Sequence, residues 1–144
     1  MKLNNPGDKK VLFSTSLPKV LREGLQAVTD TLHRNKAIWI RTALELFLAQ
    51  KEEDQEGIIM QSYKNIDSSS LGPFTTNLQE DQVARINALS ESIRRAKTDI
   101  VRAAIYELLS KKSEDQEKEI KNYLYKKWLV QAGSPEADIR FWEK

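Results

Sequence analysis

A short alternating stretch followed by two helical stripes occurs twice along this chain. Phe13, Thr15 and Leu17 alternate with Ser14 and Ser16, and Phe74, Thr76 and Leu78 alternate with Thr75 and Asn77. Period two with aromatic and β-branched residues predicts a strand. The matching Phe, Thr and Leu share one side, so that side is expected to meet the core. Behind the first strand, Leu21, Leu25, Val28 and Leu32 fall at i, i+4, i+7 and i+11, one stripe of a helix. Behind the second, the stripe is Val83, Ile86, Leu89 and Ile93. Pro18 suits a first helical position.

A second helix follows each of these. Asn35 breaks the first helix and is expected to cap the next. The apolar pairs Trp39-Ile40, Ala43-Leu44 and Phe47-Leu48 make a stripe wide enough for burial on more than one side, and Ile100-Val101, Ala104-Ile105 and Leu108-Leu109 repeat it. Ala96 has no side-chain oxygen, so Thr98 is expected to cap the copy. The hexapeptides KEEDQE (51–56) and KSEDQE (112–117) then open a third helix each. Carboxylates in a first turn favour the positive end of the helix dipole. These helices carry Ile58, Ile59 and Tyr63, and Ile120, Leu124 and Trp128.

The matched positions lie at an offset of 61, with no gap over roughly 50 residues, as an internal duplication requires. Arg34 and Lys36 fall on Arg95 and Lys97, and Arg41 on Arg102. The expected organisation is a first unit with its third helix at 1–66, a linker at 67–73 (Asp-Ser-Ser-Ser-Leu-Gly-Pro), a second unit with its third helix at 74–130, and a tail at 131–144.

Charge follows the same division. Residues 1–51 hold nine Lys/Arg against four Asp/Glu, and 52–70 hold one against five. Residues 71–112 hold seven against five, and 113–144 hold six against seven. Basic blocks thus alternate with acidic ones. The absence of cysteine excludes disulfides and thiolate chemistry, and a single histidine, His33, removes most histidine-based metal sites and triads. No Gly-rich phosphate loop or nucleophile–base pair is present, so an enzyme is not expected, nor a cofactor. No apolar run approaches a membrane span and no apolar leader follows the first charges, which leads to the expectation of a cytoplasmic protein.

Strand, helix, tight turn and helix in about 38 residues resembles the ribbon-helix-helix family of MetJ, Arc and CopG type. The residues that carry the resemblance are FSTSLP (13–18) with RNKAIWIRTAL (34–44), and FTTNLQ (74–79) with RAKTDIVRAAI (95–105). It covers 11–48 and 72–110, a little over half the chain. It implies a mainly α fold with one short two-stranded antiparallel ribbon, here a tandem arrangement closing as an intramolecular pseudo-dimer. The architecture is similar to that of TraY-like accessory proteins of conjugative plasmids. The resemblance also implies that the ribbon enters the major groove of double-stranded DNA, whose width admits it.

On that reading, Ser14, Ser16, Thr75 and Asn77 occupy the family's base-reading positions, with Lys10 extending the first strand's face. Asn77 discriminates best, because a carboxamide pairs bidentately with adenine. Phosphates would be held at the starts of the second helices by Arg34, Asn35 and Lys36 and by Arg95, Lys97 and Thr98. Four neutralised phosphates would give a log K against log salt slope of about −4.

Structural readings stand beside these. The polar strand positions also fit the solvent face of a hairpin, and Arg34 and Lys36 also fit ordinary turn charges. Arg41 and Arg102 are expected to pair with nearby carboxylates, His33 to be an exposed helix end, and Trp39 to be packing. The expected function is sequence-specific DNA binding by a transcriptional regulator, a repressor. The alternatives are a relaxosome or architectural accessory protein of a mobile element, an antitoxin with a partner-binding tail, and a helical interaction protein without DNA. Self-association on DNA and a protein partner at the third helices or tail are further expectations.

Overall fold

Two strands 61 residues apart pair with each other in a computed structural model that describes residues 9–132. Strand β1 (Lys10–Pro18) is followed by α1 (Lys19–Leu32), α2 (Lys36–Leu48) and α3 (Glu52–Asn65). Strand β2 (Leu71–Gln79) is followed by α4 (Glu80–Ile93), α5 (Lys97–Leu109) and α6 (Ser113–Ala132). The described residues are mainly helical, with one two-stranded antiparallel sheet. The expected tail lies outside the described residues from 133 onward.

The register gives the ribbon an approximate two-fold axis. Ser14 faces Thr75, its own counterpart 61 residues on, and Phe13 faces Thr76, the counterpart of Thr15. Each strand is longer than its alternating core suggests, because the antiparallel ladder carries pairing out to Lys10–Gln79 and Pro18–Leu71. The expected linker therefore shortens to 67–70, and Leu71, Gly72 and Pro73 belong to β2. Both strands of a two-stranded ribbon are edge strands, where proline is tolerated. The remaining link is a tight turn: the Asp67 carboxylate accepts from Ser69 N and Ser69 Oγ, both at 2.9 Å. These bonds hold the Asp67 carboxyl below its ordinary range.

Pro18 is the N-cap of α1 and not its first helical residue, with φ −58° and ψ 147°. Helices α1 and α4 end alike, on His33 (φ 53°) and Arg94 (φ 56°) in the left-handed region. The sharp turn after each aims α2 and α5 into the centre. There they pack together, and Trp39, Ile40, Leu44, Phe47, Ile100 and Ile105 are fully buried. Leu17 and Leu78 close the core from the ribbon side. Each such side chain taken from water is worth about 1.5–3 kcal/mol.

The third helices cross over. Helix α3 packs chiefly on α5, and α6 packs on α2, so each unit's last helix covers the other unit's central helix. Ile59 and Ile120 anchor them, while Trp128 stays 59% exposed beside Tyr125. The repeated hexapeptide has its place here. Its carboxylates open α3 and α6, and its glutamines, Gln55 and Gln116, turn inward to 2% and 3% exposure. Among the described residues no helix is long and apolar enough to cross a membrane.

Candidate nucleic-acid interface

Strand parity decides what the ribbon shows to solvent. In β1, Lys10, Leu12, Ser14 and Ser16 are exposed, while Phe13 and Leu17 face the helices. In β2, Leu71, Pro73, Thr75 and Asn77 are exposed, while Thr76 and Leu78 face inward. All five residues expected to read bases therefore come together on one outward surface. Ser14 Oγ and Thr75 Oγ1 lie 3.0 Å apart at its centre, on the approximate axis.

Two residues of that surface, Leu12 and Pro73, escape the sequence reading, while Leu71 is the counterpart of Lys10 at the same offset of 61. Leu12 and Pro73 directly precede the alternating cores that begin at Phe13 and Phe74. The signal that finds them is parity alone: Leu12 has the parity of Ser14, and Pro73 that of Thr75. Leu12 is 75% exposed and sits directly opposite Asn77.

The candidate phosphate ligands divide into two unlike sets. In the first unit, Asn35 caps α2 as expected, its Oδ1 accepting from Ala37 N at 2.8 Å and Ile38 N at 3.4 Å. Those N–H groups are then already occupied. Arg34 donates through Nε to Glu117 Oε1 at 3.0 Å and through Nη2 to Glu117 Oε2, a two-pronged pair. The pair raises the Arg34 pKa and lowers that of Glu117. Lys36 remains exposed.

In the second unit, Ala96 is the N-cap of α5, and no side chain caps it. The expectation that Thr98 does so is corrected: Thr98 lies inside the first turn, and its Oγ1 accepts from Thr15 Oγ1 at 2.9 Å. A residue past the N-cap has helical backbone and cannot fold its side chain over the preceding N–H groups. The bond instead ties the first turn of α5 to the underside of β1. Lys97 is exposed, and Arg95 donates from Nη2 to Met60 Sδ at 3.3 Å.

Arg41 and Arg102 are structural, with backbone partners where carboxylates were expected. Arg41 Nε donates to Asn77 O at 3.0 Å, bracing β2 from α2. Arg102 Nη2 donates to Ser62 O at 3.2 Å and Ile66 O at 3.1 Å, satisfying carbonyls at the end of α3. Its guanidinium also lies 4.3 Å from the Tyr63 ring centroid. Tyr63 donates its hydroxyl proton to Asp99, which pushes the phenol's pKa up. His33 is exposed and ends its helix, and Trp39 is packing, both as expected.

The arrangement offers a two-stranded ribbon whose outward face carries the uncharged polar Ser14, Ser16, Thr75 and Asn77 between the apolar Leu12, Leu71 and Pro73, with Lys10, Lys36 and Lys97 exposed. Comparison with protein families, curated proteins and solved structures finds no match to this chain.

Proposed function

We propose that this chain is a sequence-specific double-stranded DNA-binding protein acting as a transcriptional repressor, a tandem ribbon-helix-helix protein that closes as a pseudo-dimer within one chain. The observation that carries the reading is the outward face of the ribbon. Ser14, Ser16, Thr75 and Asn77 stand exposed there with no task in the core. A two-stranded ribbon matches the width of the major groove, and these side chains match its donors and acceptors. Phosphate affinity comes from Lys36, Lys97 and the N–H groups of α5, which no side chain caps.

The test is selection of duplexes from a random double-stranded pool at about 150 mM salt, where non-specific phosphate binding is weak. The expected result is one enriched motif, and a variant with Ser16→Ala and Asn77→Ala that binds the selected duplex at least about tenfold more weakly. Absence of any motif, or equal binding by the double variant, sinks the proposal.

A further inference from the structure

The ribbon's two ends are built differently, although the register is symmetric. At one end Leu12 faces Asn77, with Lys10 one outward position further along β1. At the other end Ser16 faces Pro73, with Leu71 beyond it. The approximate axis through Ser14 and Thr75 exchanges these ends, so a symmetric ribbon would show the same pair twice.

The chemistry of the two pairs is unlike. A carboxamide accepts from adenine N6–H and donates to adenine N7, and an apolar side chain packs on the thymine C5-methyl. Both features belong to the major-groove edge of an A·T pair. Residues directly opposite in an antiparallel ribbon have Cα atoms only about 4.5–5.5 Å apart. Leu12 and Asn77 can therefore address one base pair or two adjoining ones. Ser16 and Pro73 offer a hydroxyl that suits several base edges and a ring with no hydrogen-bonding group.

At the reading residue itself the bracing differs in the same direction, although Arg22 Nε donates to Leu17 O at 3.2 Å beside Ser16. Arg41 fixes the backbone of Asn77 through its carbonyl at 3.0 Å. Its counterpart Arg102 turns away to the carbonyls of Ser62 and Ile66 and gives no such bond to Ser16, the counterpart of Asn77. A side chain on a fixed backbone loses less freedom on binding. Leu12 itself is 75% exposed, so hydrophobic burial within the chain does not explain it.

We infer that the Leu12–Asn77 end reads an A·T pair, Asn77 on the adenine and Leu12 on a thymine methyl, and that the Ser16–Pro73 end contributes little discrimination. The recognised site is then non-palindromic, with its information on one side. This rests on the major-groove reading above.

The experiment takes the duplex selected by the full chain and replaces each thymine in turn by deoxyuridine, which lacks the C5-methyl, and each adenine by 7-deazaadenine, which lacks N7. Binding is measured for the wild type, Leu12→Ala and Asn77→Ala. One thymine is expected whose replacement weakens the wild type about three- to fourfold, the worth of one buried methyl, and leaves Leu12→Ala unaffected. One adenine at the same or the adjoining pair is expected whose replacement weakens the wild type but not Asn77→Ala. A selected motif with equal information on both sides overturns the inference. So does a set of replacements that affects the wild type and Leu12→Ala alike. Both results leave the ribbon as a DNA reader. Failure to distinguish the selected duplex from a scrambled one at about 150 mM salt removes the major-groove reading itself. Both side chains are exposed, so neither substitution disturbs the core, and the unfolding midpoint confirms that each variant is folded.

Discussion

Trp39 in α2 and Ile100 in α5 hold the same place in the two units, 61 residues apart, and both are fully buried. The third helices each begin with a buried glutamine, Gln116 in α6 and its counterpart Gln55 in α3. Trp39 Nε1 donates to Gln116 Oε1 at 2.9 Å, and Gln116 Nε2 donates on to Lys111 O at 2.8 Å. Ile100 has no donor. Gln55 donates through Nε2 to Phe47 O at 3.0 Å, but its Oε1 has no partner among the described residues. The other polar links diverge likewise. Arg85 reaches Glu45 with both bonds, whereas its counterpart Gly24 leaves room for Leu109, 3.3 Å from where a Cβ would stand. A duplicated backbone has thus kept its apolar frame while its hydrogen bonds have become specific to one side.

The sharpest break of this comparison is at the two glutamines. Gln116→Leu strands a buried indole N–H, and leaving such a donor unpaired costs about 1–3 kcal/mol. Gln55→Leu strands nothing comparable, because Phe47 O still accepts from Gln50 N at 3.2 Å. The expected outcome is a lower urea midpoint for Gln116→Leu than for Gln55→Leu, at similar m-values. Equal midpoints would show that the indole bond adds no stability.

Elements repeated in sequence were legible, and so was the antiparallel pairing of the two strands, but polar side chains that pair through space were not. Strand parity, the helical stripes and the third helices follow from apolar spacing, which the duplication states twice. The polar pairs are different in kind. Trp39 meets Gln116 across 77 residues, and Arg34 meets Glu117 across 83. Nothing local marks either partner, and reading the units as copies suggests that Arg34 and Arg95 act alike. The hexapeptide was read through its carboxylates, while its buried glutamine carries more of the packing. On the outward face, Leu12 and Pro73 were missed because only the alternating cores defined the strands, yet pairing along the whole ladder brings them in.

The helix caps give a middle-sized effect that sharpens the comparison. Asn35→Ala removes the cap of α2 and is expected to cost about 1 kcal/mol. Ala96→Asn adds one to α5, where φ −65° and ψ 148° already suit an N-cap, and is expected to return about the same amount. Thermal or urea unfolding of the two variants measures both. On the DNA-binding reading, Ala96→Asn also weakens binding, since the new carboxamide takes N–H groups available to a phosphate, while Asn35→Ala does not. Weakening by both or by neither would mean that the two helix starts treat phosphate alike.

The smallest expected effect is a dependence on acid at one of the two equivalent Arg–Glu positions, Arg34 with Glu117 and not Arg95 with Glu56. Arg34 holds the Glu117 carboxyl below its ordinary value, so the folded chain binds that proton less tightly than the unfolded one. The resulting stability is fully present above the ordinary glutamate range near pH 4.5 and is lost as pH falls through the lower, folded value. Both side chains are about a quarter exposed, which limits the pair to roughly 0.5–1 kcal/mol. The counterpart residues make no such pair: Arg95 donates to Met60 Sδ, and Glu56 is exposed. Urea unfolding at pH 7 and pH 3 separates the two. Glu117→Gln is expected to lower stability at pH 7 and to shrink the difference between the two pH values, because part of what the wild type loses in acid is already gone. Glu56→Gln is expected to change neither. If both variants lose stability equally at pH 7, the Arg34–Glu117 pair is no more specific to its side than the carboxylates it was duplicated with.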